Sequence, residues 1–344
     1  MSTIHILHHG QCFDGAASAA IVTAFLEQHL GLELGRGIGG DRVRYRAKDH
    51  RPGDPYDDDD FAADLVASVD FRYSQDPRLS WFFDHHRSAF QLPGDREHFL
   101  ADTSGQKFHD SSEISCAGYI ARLAHARFGC DLSEHSDLIT WADQIDSAAF
   151  PTPELPVTLN TPAMRVMAFV ESNRDPELVQ RLITDLLSVP LARLAEARYV
   201  REALTPILER HRADVALIGR RIRIEGLVAS FTLLDQPPRA VNKFIPYFHH
   251  PTVPYVIAAT RGPGWRIKIT AGYNPWLPKA AREHNMADLL EPYGGGGHPF
   301  VAGCSFAADE EERALTTVRE LTDALNTGRP QLPCPTLATC AGHP

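Results

Sequence analysis

The sequence has no long apolar segment and no excess of basic residues. No apolar run in its 344 residues approaches the ~20 residues that cross a bilayer, which argues against a transmembrane helix and a membrane partner. Asp and Glu number 44 against 34 Lys and Arg, which gives a formal net charge of −10. This charge disfavours a broad phosphate-neutralising surface for long duplex nucleic acid. A local, metal-lined site for a small anion is compatible with it.

Paired cysteines are also lacking. The six cysteines include no C-x-x-C pair, so neither a zinc knuckle nor a disulfide framework is indicated. The segment 1–7 has no basic region ahead of its strand-like pattern, so we expect no secretory signal and a cytoplasmic location. Hydrophobic residues make up 43% of the chain and charged residues 23%, which is ordinary globular usage. The length predicts about two domains of ~100–200 residues each.

Several apolar runs in the first half of the chain end on residues that carry chemistry. A β-prone run over 4–8 leads through Gly10 and Gly15 into an Ala-rich helix. The runs Leu65–Val69 and Leu79–Phe83 end on Asp70 and on Asp84-His85-His86, respectively. Strands buried on both faces of a parallel sheet give such runs, and ligands collect beyond their carboxyl ends. The pattern predicts a single site at one edge of one parallel sheet.

Changes in proline content and in apolar spacing along the chain predict the domain boundaries. Prolines between 151 and 162 interrupt regular structure and place the end of the first domain near residue 165. Helical spacing predicts a linker over 166–212, followed by a smaller domain over 213–330 and a tail over 331–344. Short strand candidates in the smaller domain are Val215–Ile218, Ile222–Ile224, Val228–Leu234, Pro254–Ala259 and Ile267–Ala271. The predicted fold is α/β, with a parallel-sheet domain, a helical linker and a smaller α/β domain, and a cleft between the two.

The residues at the predicted strand ends are typical metal ligands. Carboxylates and imidazoles suit Mn²⁺, Fe²⁺ or Zn²⁺, and two such ions ~3.5–4 Å apart need several of these ligands and a bridging carboxylate. Any one of them could instead be a capping or surface group, but that alternative leaves their shared placement at strand ends without a reason. The candidates are His8, His9, Asp14, Asp70, His85, His86 and Asp143.

A second signal lies in the smaller domain. Gly294–Gly297 are consecutive glycines followed by His298. Such glycines let backbone N–H groups converge on an anion without Cβ obstruction, and the imidazole adds a donor. A flexible loop is the alternative, and the folded flanks Leu289–Leu290 and Val301–Ala302 favour anion contact over it.

Together, in this order, the two signals resemble a DHH-family phosphoesterase with a second domain of the DHHA1 type. That group contains RecJ-like exonucleases, nanoRNases and cyclic-dinucleotide phosphodiesterases. The likeness extends from the first strand to about residue 325. Its motifs are His9–Gly15, Asp70, Asp84-His85-His86, Asp143, and the stretch from Gly294 through His298 to Gly303.

The resemblance implies a site for two divalent metal ions, with Mn²⁺ the first expectation. Asp70 would bridge the ions, and Asp84 would orient a metal-binding imidazole. Cys12 stands where the family usually has an acid, and a thiolate ligand there would favour Fe²⁺ or Zn²⁺. His8 is an alternative to His9 as the first ligand. The implied ligands are His9, Cys12, Asp14, Asp70, His85 and Asp143.

The resemblance also implies the substrate contacts and the reaction. His86 would face the substrate phosphate, opposite Gly295, Gly296, Gly297 and His298 of the second domain. Lys268 or Asn274 would replace an arginine that the family often carries. We expect hydrolysis of phosphodiester bonds in short oligonucleotides or small nucleotides. Alternatives are a cyclic dinucleotide, a bisphosphonucleoside or polyphosphate as substrate, and a non-catalytic nucleotide sensor. An oligomeric state is compatible with the sequence.

Overall fold

The computed structural model describes residues 3–32, 43–51, 53–278 and 283–327. The chain forms two compact units. The first comprises Met1–Phe150 and Thr158–Leu208, and the second comprises Pro151–Val157 and Glu209–Pro344. The tail predicted over 331–344 lies outside the described residues. None of the helices in the described ranges combines the length and the apolar character that crossing a membrane requires.

The first unit is built on a five-stranded sheet in the order β2-β1-β3-β4-β5, in which every pair of neighbours is parallel. Its inner strands are apolar and buried, as the continuous runs predict. The parallel sheet of the first domain is therefore confirmed. The strands are β1 (Ile4–His9), β2 (Val43–Lys48), β3 (Leu65–Val69), β4 (Leu79–Asp84) and β5 (Lys107–His109).

The second unit holds a mixed six-stranded sheet in the order β10-β11-β9-β8-β7-β6, in which only β7 and β8 run parallel. The smaller α/β unit agrees with the predicted fold class. Its strands are β6 (Arg223–Glu225), β7 (Val228–Thr232), β8 (Tyr255–Arg261), β9 (Ile267–Tyr273), β10 (Gly296–His298) and β11 (Val301–Phe306).

Helices cover both sheets. In chain order they are α1 (Phe13–Leu30), α2 (Asp95–Ala101), α3 (Cys116–Phe128), α4 (Ser136–Asp146), α5 (Glu154–Thr158), α6 (Pro162–Ser172), α7 (Pro176–Leu186), α8 (Leu191–Leu194), α9 (Arg198–Arg221), α10 (Ile245–His249), α11 (Met286–Leu290) and α12 (Glu311–Thr327). Helix α1 is buried from Phe13 to Leu26, because it packs against the sheet as well as against α3 and α4.

One predicted strand differs in the structure. Val215–Ile218 lie inside α9 and not in a strand, because Val215, Ile218 and Ile222 continue a helical apolar spacing into a core where Ile218 is fully buried. Helix α7, in the segment predicted as linker, packs on β2 within the first unit. There the Gln180 side chain bonds to Tyr45 N (2.8 Å) and Val43 O (3.1 Å).

Candidate metal centre

Side chains from separate elements meet at the carboxyl edge of the first sheet. His9 is the last residue of β1, Asp70 follows β3, and Asp84 ends β4 directly ahead of His85 and His86. Cys12 and Asp14 come from the start of α1, and Asp146 from the last turn of α4. The structure brings the nitrogen, sulfur and oxygen atoms of these residues into overlapping clusters: His9, Cys12 and Asp70; Asp70, His85 and His86; Asp14, His85 and Asp146.

Asp70 lies at the centre of this arrangement. Its residue is 1% exposed, and its backbone is held at φ 54°, a left-handed conformation that is rare for a non-glycine residue. One carboxylate oxygen lies 3.5 Å from His9 Nδ1, and the other lies 3.4 Å from His85 Nε2. Neither oxygen accepts a hydrogen bond within the described residues. The two oxygens of Asp70 therefore face two different imidazoles.

Asp146, and not Asp143, completes the cluster around His85. His85 Nε2 lies 3.7 Å from Asp14 Oδ2 and 3.5 Å from Asp146 Oδ2. Asp143 instead accepts a 2.5 Å hydrogen bond from Ser115 Oγ, the residue that caps α3, and it joins none of the clusters among the described residues. The sequence analysis names Asp143 as the ligand from this helix, whereas the group of possible ligands in the described residues contains Asp146, three residues later.

The structure also separates the two histidines of β1. His8 is buried on the strand, and its Nδ1 lies 3.0 Å from His9 O. His9 is partly exposed and clusters with Asp70 and Cys12. Neighbouring strand residues point to opposite faces, so only one of the two can reach the cluster. His9 occupies that position.

Backbone geometry brings the start of α1 against the end of β1. A Cβ at Gly15 would lie 2.3 Å from His9 O, so any larger residue would force the helix away from the strand. Gln11, in the connecting loop, has φ 53°. Glycine at this point therefore keeps Cys12 and Asp14 close to His9 and Asp70.

Neighbouring groups orient the clustered side chains. Asp14 accepts hydrogen bonds from the backbone N–H groups of Cys116 (2.7 Å) and Ala117 (3.1 Å), at the start of α3. His85 Nδ1 lies 3.1 Å from Glu113 O, an arrangement that assigns the proton to Nδ1 and leaves Nε2 as the free ligand atom. Such second contacts set the tautomer and direction of metal-binding imidazoles.

Asp84 takes a role slightly different from the one expected. Its Oδ1 lies 2.8 Å from Nδ1 of His86, so it orients the imidazole predicted to face substrate. The other oxygen, Oδ2, is buried without a hydrogen bond in the described part of the chain. Asp84 is fully buried, whereas His86 is partly exposed. The His86 imidazole therefore lies at the edge of the cluster, with its orientation fixed by the buried Asp84 carboxylate.

The ionisable side chains of the cluster lie close together, and burial and their mutual interactions shift several of their pKa values. Burial works against a charged His85, but the Asp70 carboxylate, 3.4 Å from His85 Nε2, and the nearby Asp14 carboxylate raise the pKa of His85 to about 10. Burial, followed by the Asp70 and Asp14 charges, raises the pKa of the Cys12 thiol well above its usual value. Burial and the Asp70 charge also raise the pKa of Asp146. Metal binding requires deprotonated ligands, so a divalent cation would displace protons here.

The donor atoms fit a divalent transition metal. His9 Nδ1, His85 Nε2 and both oxygens of Asp70 are buried and make no hydrogen bond within the described residues. Buried polar atoms normally find partners, so these atoms, grouped around one point, could hold a cation. Imidazole, carboxylate and thiol together suit Mn²⁺, Fe²⁺ and Zn²⁺.

In the second unit, the glycine-rich segment forms strand β10 and pairs with β11. Gly296, His298 and Lys268 are exposed there. A Cβ at Gly296 would meet nothing within 4 Å, whereas at Gly295 it would lie 2.6 Å from Gly303 O and at Gly297 2.6 Å from Val301 O. Two of the predicted glycines therefore serve close backbone packing, and the third leaves an open surface.

The structure places Asn274, one of the predicted substrate contacts, in the interior of the second unit. Its residue is fully buried, and its amide donates to Pro251 O (2.8 Å) and Val253 O (2.9 Å). Its oxygen accepts from Trp276 N at 3.0 Å. The side chain closes the turn after β9 and has no amide proton left for a substrate.

Sequence reasoning missed Asp146 and His50. Asp146 shares a helix face with Asp143, so the spacing alone allowed either residue. His50 follows the end of β2 by two residues, and its ring centroid lies 4.8 Å from that of His9. The sequence signal for His50 is its position shortly after the alternating apolar residues Val43, Tyr45 and Ala47.

Comparison with known proteins gives a result at the level of the fold. No family profile and no curated protein matches the sequence. A pGpG-specific phosphodiesterase from Vibrio cholerae superposes with a TM-score of 0.65 at 17% identity, over 94% of this chain and 99% of that one. RecJ from Thermus thermophilus in complex with Mn²⁺ gives 0.50 at 15% identity, over 94% of this chain and 52% of that one.

A third solved structure carries the family name. It is described as the DHH domain of a member of the s1p family of ribosomal proteins, and it gives a TM-score of 0.52 at 14% identity, over 93% of this chain and 86% of that one. These likenesses extend across both units. The chain therefore has the fold of the DHH-family phosphoesterases, as its motifs predict.

Proposed function

We propose that this protein is a metal-dependent phosphoesterase that hydrolyses phosphodiester bonds in short oligonucleotides or small nucleotides. The observation that carries the proposal is the geometry of Asp70, whose two buried oxygens face His9 and His85 at 3.5 and 3.4 Å. A carboxylate placed in this way can bridge two cations. Two-cation sites with one bridging group are typical of phosphoryl-transfer enzymes.

The clusters divide the ligands between two positions. His9 and Cys12 would hold one cation, and Asp14, His85 and Asp146 the other, with Asp70 shared between them. Mn²⁺ is the first expectation, and the Cys12 thiol supports Fe²⁺ or Zn²⁺ as alternatives. Bound cations of this kind polarise phosphoryl oxygens and supply a nucleophile at neutral pH.

The remaining polar groups act on the substrate. His86, held by Asp84, lies at the partly exposed side of the cluster and would donate to a non-bridging phosphoryl oxygen. Preorganised donors of this kind stabilise the charge that develops during phosphoryl transfer. In the second unit, the candidate substrate contacts are His298, Lys268 and the open surface at Gly296.

Two observations support a small substrate. The net charge of −10 disfavours an extended nucleic-acid surface. The Vibrio cholerae protein of similar fold, matched over nearly its full length, is described as specific for pGpG, a dinucleotide. We therefore place dinucleotides first among the substrates, ahead of cyclic dinucleotides, bisphosphonucleosides and polyphosphate.

The test is turnover of these compounds by the purified protein with Mn²⁺, Fe²⁺ or Zn²⁺, together with metal analysis. We expect release of mononucleotides from di- to pentanucleotides and its loss in Asp70→Ala and His85→Ala. Full turnover in either variant after metal removal would contradict the proposed chemistry. Nucleotide binding without metal and without turnover would instead indicate a sensor.

A further inference from the structure

A histidine outside the recognised motifs lies at the same sheet edge. We propose that His50 contacts the substrate and donates a hydrogen bond to one of its phosphoryl oxygens beside the metal-ligand cluster. This inference rests on the proposed function and adds a residue to its substrate site. His50 follows β2, the strand that pairs with β1 in parallel, so it emerges next to His9.

Aromatic contacts fix the position of the His50 ring. Its centroid lies 4.9 Å from that of Phe71 with the planes 29° apart, which is a stacked arrangement. It lies 4.8 Å from the His9 centroid at 62°, which is an edge-on contact. Phe71 is buried and comes directly after Asp70. The imidazole is therefore held against the residue that follows the central carboxylate.

The backbone that carries His50 is also anchored. Arg72 is 5% exposed, and its guanidinium donates to Arg51 O at 2.6 Å and to Gly53 O at 3.3 Å. On the other side, Gly10 N donates to Lys48 O at 2.9 Å, which ties the end of β2 to the loop after β1. A buried arginine and a backbone bond thus fix both flanks of His50. Such preorganisation is what a substrate-positioning side chain requires.

The His50 side chain is left available for a ligand. The residue is exposed, and neither ring nitrogen has a hydrogen-bond partner or an ion pair among the described residues. Its nitrogens belong to none of the metal-ligand clusters found in the same part of the chain. A phosphodiester brought to those clusters would place anionic oxygens beside this ring, where an imidazole N–H is a suitable donor.

The experiment compares three substitutions with one matched control. His50→Ala removes the ring, His50→Gln keeps a hydrogen-bond donor without the ring, and His50→Phe keeps a ring without a donor. The control is His125→Ala, an exposed histidine in the last turn of α3, opposite the end of that helix that contacts Asp14. For each variant we would measure kcat and KM for pGpG, calorimetric affinity for pGpG, bound metal and the melting temperature.

We expect kcat/KM to fall by about 10- to 100-fold in His50→Ala and His50→Phe, as for loss of a hydrogen bond to a charged group. His50→Gln should recover most of the loss, and bound metal should stay at the wild-type level. Full activity in His50→Ala, loss of metal from it, or rescue by Phe rather than Gln would each overturn the inference. The last outcome would point to stacking on a base.

The same set of measurements separates the two proposals. A wild-type protein that turns over no phosphoester would refute the proposed function. The nucleotide titration still tests His50 in that case, because equal affinities of wild type and His50→Ala would refute the contact. An active wild type with an equally active His50→Ala would refute the inference alone.

Discussion

His86 Nδ1 lies 2.8 Å from Asp84 Oδ1, which fixes the orientation of this partly exposed imidazole. With Nδ1 bonded to a buried carboxylate, Nε2 is the atom available to a substrate. Burial works against a charged ring, yet the Asp84 hydrogen bond raises the pKa of His86 above its ordinary value. Under the proposed function, Asp84 would act as a positioning residue, and its hydrogen bond also favours the protonated form of His86.

Asp84→Asn should lower kcat/KM by about 10- to 100-fold, the usual effect of losing a partner that orients an active-site imidazole. Bound metal should remain, since Asp84 belongs to none of the metal-ligand clusters in the described residues. Steady-state kinetics and metal analysis check both statements. Asp59→Asn, the same change at an exposed carboxylate, serves as the control. Unchanged kinetics in Asp84→Asn would show that His86 needs no such support.

Asp143 and Asp146, on the same helix α4, should differ in function. Asp146→Asn removes an oxygen that lies 3.5 Å from His85 Nε2 and should reduce both bound metal and turnover. Asp143→Asn alters only the bond from Ser115 Oγ, and should cost about 1 kcal/mol of stability while metal binding persists. Metal stoichiometry and thermal unfolding of both variants test this. Loss of metal in Asp143→Asn with retention in Asp146→Asn would reverse the assignment.

The candidate ligands at the strand ends could be predicted from the sequence, because few residues follow directly after a buried parallel strand. Leu65–Val69 and Leu79–Phe83 are apolar without interruption, so the polar residues that follow them must lie at the carboxyl edge of the sheet. A helix leaves more than one residue as a possible ligand, because residues three apart share a face. Asp143 and Asp146 share one face of α4, and only packing against α1 and α3 turns Asp146 towards His85.

Tertiary contacts explain the other differences. Asn274 follows a strand, as a ligand would, but its amide satisfies backbone carbonyls of a neighbouring loop that the sequence does not reveal. His50 carries no motif, and its relation to His9 depends on the pairing of β2 with β1 across a distance in sequence. The local sequence pattern therefore predicted which sheet edge carries the site. The contacts of the individual side chains could be seen only in the folded structure.

Cys12 should bind metal through sulfur. The thiolate is the ligand form, and a bound cation would remove the proton that burial and the Asp70 and Asp14 charges hold on the thiol. Protein loaded with Co²⁺ should show a thiolate-to-metal charge-transfer band in the near ultraviolet. Cys12→Ser and Cys12→Asp should lose this band, and Cys12→Asp should shift metal preference from Zn²⁺ towards Mn²⁺.

Cys130→Ser provides the control for the spectroscopic test. The Cys130 thiol lies just beyond the end of α3, 3.8 Å from Phe128 O, and outside the metal-ligand clusters of the described residues. Its substitution should leave the band unchanged. A band that survives in Cys12→Ser would remove Cys12 from the metal site.

His8 should make the metal-free protein sensitive to acid. Burial lowers the pKa of His8 from 6.5 to about 4, so the folded state holds it neutral where the unfolded state takes up a proton. This contribution to stability is present above pH 6.5 and is lost as the pH falls towards 4, by up to about 3 kcal/mol. His8→Gln keeps a donor for His9 O without titrating, and should show a shallower decline.

Urea unfolding of both proteins at pH 7 and pH 4.5, with chelator present, measures the difference, since bound metal would add its own dependence on pH. The free energy of unfolding should fall further in wild type than in His8→Gln. Parallel declines in the two proteins would assign the acid sensitivity to other groups.

Alanine substitutions at Gly297 and Gly296 should distinguish an effect on stability from an effect on substrate binding. Gly297 has φ 149°, and a Cβ there would lie 2.7 Å from Ala302 Cα, so Gly297→Ala should destabilise the β10–β11 pair by roughly 1–3 kcal/mol. At Gly296 the same methyl group meets nothing within 4 Å, so Gly296→Ala should fold normally. Hydrogen exchange of the β10 and β11 amides and thermal unfolding distinguish the two variants.

Gly296→Ala then tests the proposed substrate surface without disturbing the fold. The added methyl group would project from an exposed strand beside His298, where the nucleotide is proposed to lie. We expect KM for pGpG to rise several-fold, with bound metal unchanged because the clusters belong to the first unit. If Gly296→Ala is folded, metal-loaded and as active as wild type, the nucleotide does not contact this strand, because an alanine Cβ could not be added to an occupied surface without cost.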